Sequence, residues 1–216
     1  MPVPTLMAPT RIVLSAGVTW NPSDTAGSPH FSNGNLTFAG DVTSGAASCR
    51  ANTSASSGKF YWEVVIDHME GANRPAVGLS PLLSTLTVNA PSFTNDWWAF
   101  LPRTAPDGSY TIDRQGNQNL TGSVVWSDGS VVMFALDRTA GKAWCGLNGT
   151  WMSNGGTPGN PAAGTGERFG VDLTTNGALS PTVWLAGGGG DACQVTGHFS
   201  AASWIYSAPS GFGEWT

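Results

Sequence analysis

Carboxylates are the side chains of this 216-residue protein best suited by type to do chemistry. Glu63, Asp67, Glu70, Asp96, Asp107 and Asp113 cluster in one stretch of the sequence. Cleaving a glycosidic bond needs two carboxyl groups about 5–9.5 Å apart, one to protonate the leaving oxygen and one to attack or activate water. Alternation along a strand puts residues two or four apart on one face, which makes Glu63 and Asp67 the pair to test. Other reactive patterns are missing. His30, His68 and His198 lack zinc-ligand spacing and none stands near a pair of cysteines. There is no G-x-S-x-G elbow, and Gly141-Lys142 runs into Ala143 without the upstream glycine of a phosphate loop. The four glycines at 187–190 lead to Asp191 and to no helix, so they read as a turn before the last strand. The expectation is a chain that is not an enzyme and holds neither metal nor cofactor.

A second grouping suggests binding. Asn95-Asp-Trp-Trp-Ala-Phe100 is followed closely by Arg103, Asp107 and Tyr110. Neighbouring residues on an extended segment point to opposite faces, so one of Trp97 and Trp98 enters the core while the other is left near the surface or under a loop. An exposed aromatic beside Arg and Asp is the make-up of a sugar platform or a protein hot spot. The alternative is that both indoles pack beneath their own loop. Asp96, Trp97, Trp98, Arg103, Asp107 and Tyr110 are therefore the candidate binding residues.

The elements that must position these groups are strands. The chain carries 29 Gly and 14 Pro, which cost about 1 and about 3 kcal/mol each inside a helix. Short runs rich in Val, Thr, Phe, Tyr and Trp alternate with clusters of Asn, Asp, Ser, Gly and Pro, the composition of an all-β sandwich or barrel. The plainest element is a hairpin. Val131–Leu136 is an apolar strand, Asp137-Arg-Thr-Ala-Gly141 a turn, Lys142–Leu147 the return strand, and Asn148-Gly149 the next reversal. Val18 to Phe38 reads as a first strand pair turning at Asn33-Gly34. No linker divides the chain, so residues 17–216 are expected to form one domain behind an extended arm at 1–16.

This hairpin, with its Leu-Asp end, aromatic return strand and Asn-Gly-x-Trp, resembles that of SPRY domains. Gly58-Lys-Phe-Tyr-Trp-Glu-Val64 is similar to the family's opening strand motif, and Pro75-Ala-Val-Gly-Leu-Ser80 to its Val-Gly-Leu-Ser strand. Gly108–Asp113, Pro181–Leu185, Val195–Phe199 and Tyr206–Phe212 follow in the family's order. The resemblance implies a bent antiparallel β-sandwich, concanavalin-like in its two sheets. It implies long loops, a structural hydrogen-bonding role for Glu63, and a ligand surface built from loops at one end.

Ten Trp residues supply the core, and Trp62, Trp126, Trp144, Trp151 and Trp184 lie in or beside predicted strands. A buried aromatic removes roughly 150–250 Å² from water, so metal or disulfide support is not needed. Cys49, Cys145 and Cys193 are odd in number and scattered, against a complete disulfide framework; Cys145 reads as a small buried hydrophobe. Charged residues make up 11% and the net charge is −5, which disfavours nucleic acid and anionic membranes as partners. No apolar run reaches the roughly 20 residues that span a bilayer.

The Pro-broken start without a basic region does not read as a secretory signal. It is either an arm that packs on a neighbouring subunit or a disordered leader. With no signalling module, few charges and much Ser, Thr, Asn and Gly, the chain resembles SPRY proteins of bacteriophages and prophages. The resemblance implies a virion structural protein of the tail, at its fibre or tip, made in the host cytoplasm. Such a protein would be multicopy and would bind a host surface glycan or protein, or another virion protein. The rival readings are a capsid decoration or collar protein and a β-sandwich carbohydrate enzyme.

Overall fold

The computed structural model describes residues 17–40, 46–69, 75–88, 97–102, 109–112, 118–120, 125–170, 177–185 and 193–216. In chain order the strands are β1 (Trp20–Ala26), β2 (His30–Ser32), β3 (Thr37–Ala39), β4 (Ala47–Ala51), β5 (Lys59–His68), β6 (Pro75–Pro81), β7 (Trp98–Pro102) and β8 (Ser109–Ile112). They continue as β9 (Gln118–Leu120), β10 (Val131–Asp137), β11 (Lys142–Leu147), β12 (Thr150–Trp151), β13 (Phe169–Gly170), β14 (Leu179–Leu185) and β15 (Gln194–His198). One sheet has the order β1-β4-β14-β6-β7-β8-β9 and the other β12-β11-β10-β5-β15-β3-β2, with β13 also on β11. The fold is all-β and antiparallel, two sheets face to face, as the composition and the resemblance imply.

The 131–147 hairpin forms in the expected register, Phe134 opposite Cys145 and Asp137 opposite Lys142. Its turn closes where the Ala140 amide donates to Asp137 Oδ1 at 2.8 Å, and Gly141 takes the positive φ of 67° that a tight hairpin loop demands. The N-terminal strand pair differs from expectation. The turn at Asn33-Gly34 is present, but it joins β2 to β3, which pair in one sheet. β1 pairs with β4 in the other sheet. Gly27 breaks the run with a φ of 87° and lets the chain cross between layers.

Alternation sorts the strands into a central core and two outer ones. Trp62, Val64 and Ile66 of β5 face the inner layer, where Trp62 stacks on Phe134 at 5.1 Å and Trp20 meets Phe199 edge-on at 5.0 Å. On the outer face of the first sheet, Ala76, Trp97, Ala99, Leu101 and Trp184 form a second cluster with Leu86. On the outer face of the other sheet, Tyr61, Met133, Ala135, Trp144 and Phe212 form a third, with Trp151, Trp204 and Tyr206 against it. Trp62, Trp126, Trp144 and Trp184 are buried as expected, and Trp151 is half-buried. The arm at 1–16 and the tetraglycine run lie outside the described residues.

Candidate functional site

Strand geometry separates the carboxylates that the sequence pairs. Glu63 and Asp67 do share the outer face of β5, but four residues of strand span about 13 Å, beyond the reach of a glycosidase pair. Glu63 is also sealed, with no exposure. Its Oε1 accepts the Tyr61 hydroxyl at 2.6 Å and the Tyr206 amide at 2.8 Å, and its Oε2 accepts the Ile205 amide at 2.7 Å. His198, its neighbour in register on β15, brings Nδ1 to 3.8 Å, too far for a hydrogen bond but near enough for attraction when protonated.

Burial alone would raise the Glu63 carboxyl, but the contacts with His198, the Ile205 amide, Tyr61 and the Tyr206 amide hold it below the ordinary glutamate value. Burial and that same carboxylate push the Tyr61 phenol up, so it stays a donor. Asp67 accepts the Thr196 hydroxyl at 2.6 Å. Glu70, Asp96, Asp107 and Asp113 lie outside the described residues. What gathers around Glu63 is a structural junction, as the strand motif implies, and not a cleft.

The aromatic pair obeys alternation, yet both rings are covered. Trp98 enters the central core at 1% exposure and donates from Nε1 to the Gly170 carbonyl at 3.1 Å. Trp97 turns to the outer cluster at 3% exposure beside Leu101 and Trp184. Outside the sheet, residues 82–88 cross over this side: Trp184 donates to the Val88 carbonyl at 3.1 Å and Ser48 to that of Thr87 at 2.9 Å. Neither indole is a platform for a ligand, because a sheet face with a strap over it buries both of its sides. Asp96, Arg103 and Asp107 lie outside the described residues, and Tyr110 is described only as backbone opposite Leu101.

One rim collects strand ends from both sheets. Ala47, Leu185 and Pro75 stand in register, and Pro102 faces Ser109 at the same end. His68, Gln194 and Ala39 are the matching ends in the other sheet. The chain passes directly from Ala39 toward Ala47, from His68 toward Pro75 and from Leu185 toward Gln194. These ends therefore form one common edge of the sandwich. On it the Asp128 carboxylate accepts the Met69 amide at 2.7 Å and meets His68 Nδ1 at 3.1 Å, in the open.

Sequence reasoning passed over Arg50, which is 2% exposed on β4 and donates from Nε to the Ser80 hydroxyl at 2.9 Å. A signal existed: an arginine inside Ala47-Ser-Cys-Arg-Ala51, a run of small residues, has to find partners if that run is buried. Among the described residues no group of three His, Cys, Asp or Glu could hold a metal ion.

No family model matches the chain, and no curated protein matches it. Solved structures do. The SPRY domain of human HERC1 is 18% identical with a TM-score of 0.58, over 83% of this chain and 96% of that one. A human SPRY domain is 18% identical with a TM-score of 0.53, over 79% and 94%. The TRIM65 PSpry domain is 12% identical with a TM-score of 0.54, over 83% and 90%. At these identities the likeness is one of fold, and with the strand order and the motif strands already described it establishes that this chain has the SPRY fold.

Proposed function

We propose that the chain is a non-catalytic binding module, a bacteriophage-type virion structural protein associated with the tail, whose rim loops grip a host surface glycan or another virion protein. The observation that carries the non-catalytic part is the state of Glu63. Its carboxylate lies out of reach of solvent and spends both oxygens on internal donors. The rim supports the binding part, because strand ends of both sheets hold the roots of several loops along one edge of the sandwich. The virion part is supported by composition: few charges, and a polar surface of Ser, Thr, Asn and Gly. Many copies on a particle would turn weak contacts into high avidity.

The test is an array of bacterial surface polysaccharides probed with the purified chain, followed by competition against phage adsorption. Saturable binding that blocks adsorption is the expected result. Release of reducing ends from any polysaccharide, lost in Glu63→Gln, would overturn the non-catalytic reading. Co-purification with capsids and no affinity for cells or glycans would replace the tail with a decoration role.

A further inference from the structure

Residues 199–216 behave as a ligand of the sheet they lie on. The segment forms no strand of its own, and its only ladder contact is one parallel bridge between Gly213 and Phe60. It is held by separate anchors. On the outer face Trp204 meets Tyr61 edge-on at 4.9 Å and Phe212 meets Trp144 edge-on at 6.1 Å, and past that face Trp215 enters the central core, where it stacks on Phe60 at 4.6 Å. The Gly213 carbonyl accepts the Tyr61 amide at 2.9 Å, and its amide donates to the Lys59 carbonyl at 3.1 Å. Between the aromatic anchors, Glu63 reaches out of the sheet to take the Ile205 and Tyr206 amides on its two oxygens.

A groove with aromatic walls, a stretch of β5 backbone at Lys59–Tyr61 beyond the end of β15, and a central carboxylate aimed at two successive amides recognises a peptide that turns at 200–203 and 209–212. Here that peptide is the chain's own end. The groups facing Glu63 are Tyr61 on its own strand, His198 on β15, Met133 opposite on β10 and Tyr206 in the segment. Lys59 and Asp137 pair with each other at 2.9 Å further along the same face. Among the described residues no other acid competes for the two amides.

We propose that the outer face of β5, β10 and β11 is a peptide-docking groove whose occupant is exchangeable: the 199–216 segment of a second copy takes the place of the chain's own. The occupant is fixed by what the groove already holds, since a second copy offers the same anchors and the same two amides. Such an exchange links copies without any new contact surface, and it does not depend on what the rim binds.

The probe is a fluorescent synthetic peptide of residues 199–216 added to the full-length protein. The unaltered chain, with its groove filled, is expected to capture it weakly. Trp204→Ala with Phe212→Ala weakens the resident segment and leaves the groove intact, so capture of the native-sequence peptide should tighten about tenfold or more. Adding Trp144→Ala, which removes a groove wall, should abolish the gain. Glu63→Gln serves as the converse: its amide sets a donor against a donor, so it loosens the resident segment and the peptide alike, and capture should stay weak. No tightening in a folded Trp204→Ala/Phe212→Ala chain whose 204–215 amides have lost their protection from exchange, so that the resident segment is loose, overturns the proposal. So does tightening that survives Trp144→Ala.

Discussion

Arg50 and Asp24 join two strands by a forked ion pair, Nη1 donating to both carboxylate oxygens at 2.9 and 3.0 Å. The same guanidinium donates from Nη2 to the Ser84 carbonyl and, at 2.8 Å, to the Ser84 hydroxyl. One buried cation thus ties the edge strand β1 to β4, β6 and the strap at 82–88. Removing it strands an acid and several acceptors at once. Arg50→Met is expected to lower unfolding stability by about 3 kcal/mol, read from urea denaturation, and Arg50→Lys to recover little because it cannot fork. A loss under about 1 kcal/mol would mean that water replaces the network.

Acid should loosen the fold through Glu63. Its carboxyl sits below the ordinary value in the folded state, so across that window the unfolded chain binds more protons. Its stabilisation is complete above the ordinary glutamate value, about 4.3, and is lost as pH falls through the lower folded value. Asp137 is offset by burial but held low by the Ala140 amide and Lys59, and works in the same direction. Urea midpoints should fall between about pH 5 and about pH 3, with a smaller slope in Glu63→Gln. An unchanged slope would remove Glu63 from the account.

The two neighbouring indoles should respond differently to loss of their N–H. Trp98 donates to Gly170, whereas Trp97 Nε1 is buried without a hydrogen-bond partner among the described residues. Trp98→Phe gives up this part-buried hydrogen bond, whose carbonyl lies on the exposed Gly170, and is expected to cost about 0.5–1.5 kcal/mol more than Trp97→Phe. Equal losses in parallel chemical denaturation would show that ring volume alone matters at both positions.

Thiol chemistry should be silent in the native protein. Cys49, Cys145 and Cys193 are all buried. Burial pushes the Cys49 thiol up to about 12 and that of Cys145 up as well, so the reactive thiolate is scarce near neutrality. Ellman's reagent at pH 8 should count no thiol in the folded chain and all three after denaturation. A thiol that reacts at once with folded protein would contradict the packing.

Close packing of β6 on β7 makes Gly78 intolerant of a side chain. A Cβ there would fall 1.9 Å from the Trp98 carbonyl oxygen, a backbone atom that cannot step aside. Gly78→Ala is expected to cost about 3 kcal/mol, measured as a drop in the urea midpoint. A neutral outcome would mean that the two strands are further apart than this.

The sequence on its own settled the features that local rules govern. Gly and Pro spacing argued against long helices, apolar runs between turn residues marked Val131–Leu136 and Lys142–Leu147 as strands, and Asn33-Gly34 and Asp137–Gly141 closed turns at the residues named. It also put Trp97 and Trp98 on opposite faces. Only the tertiary structure decided that β1 leaves its neighbour for the other sheet, that both faces of β7 are covered, and that Glu63 binds amides 142 and 143 residues away. The physical reason is that strand period fixes which face a residue takes, whereas burial depends on which distant segment lies over that face. The straps at 82–88 and 199–216 carry no periodic signature that reveals where they lie.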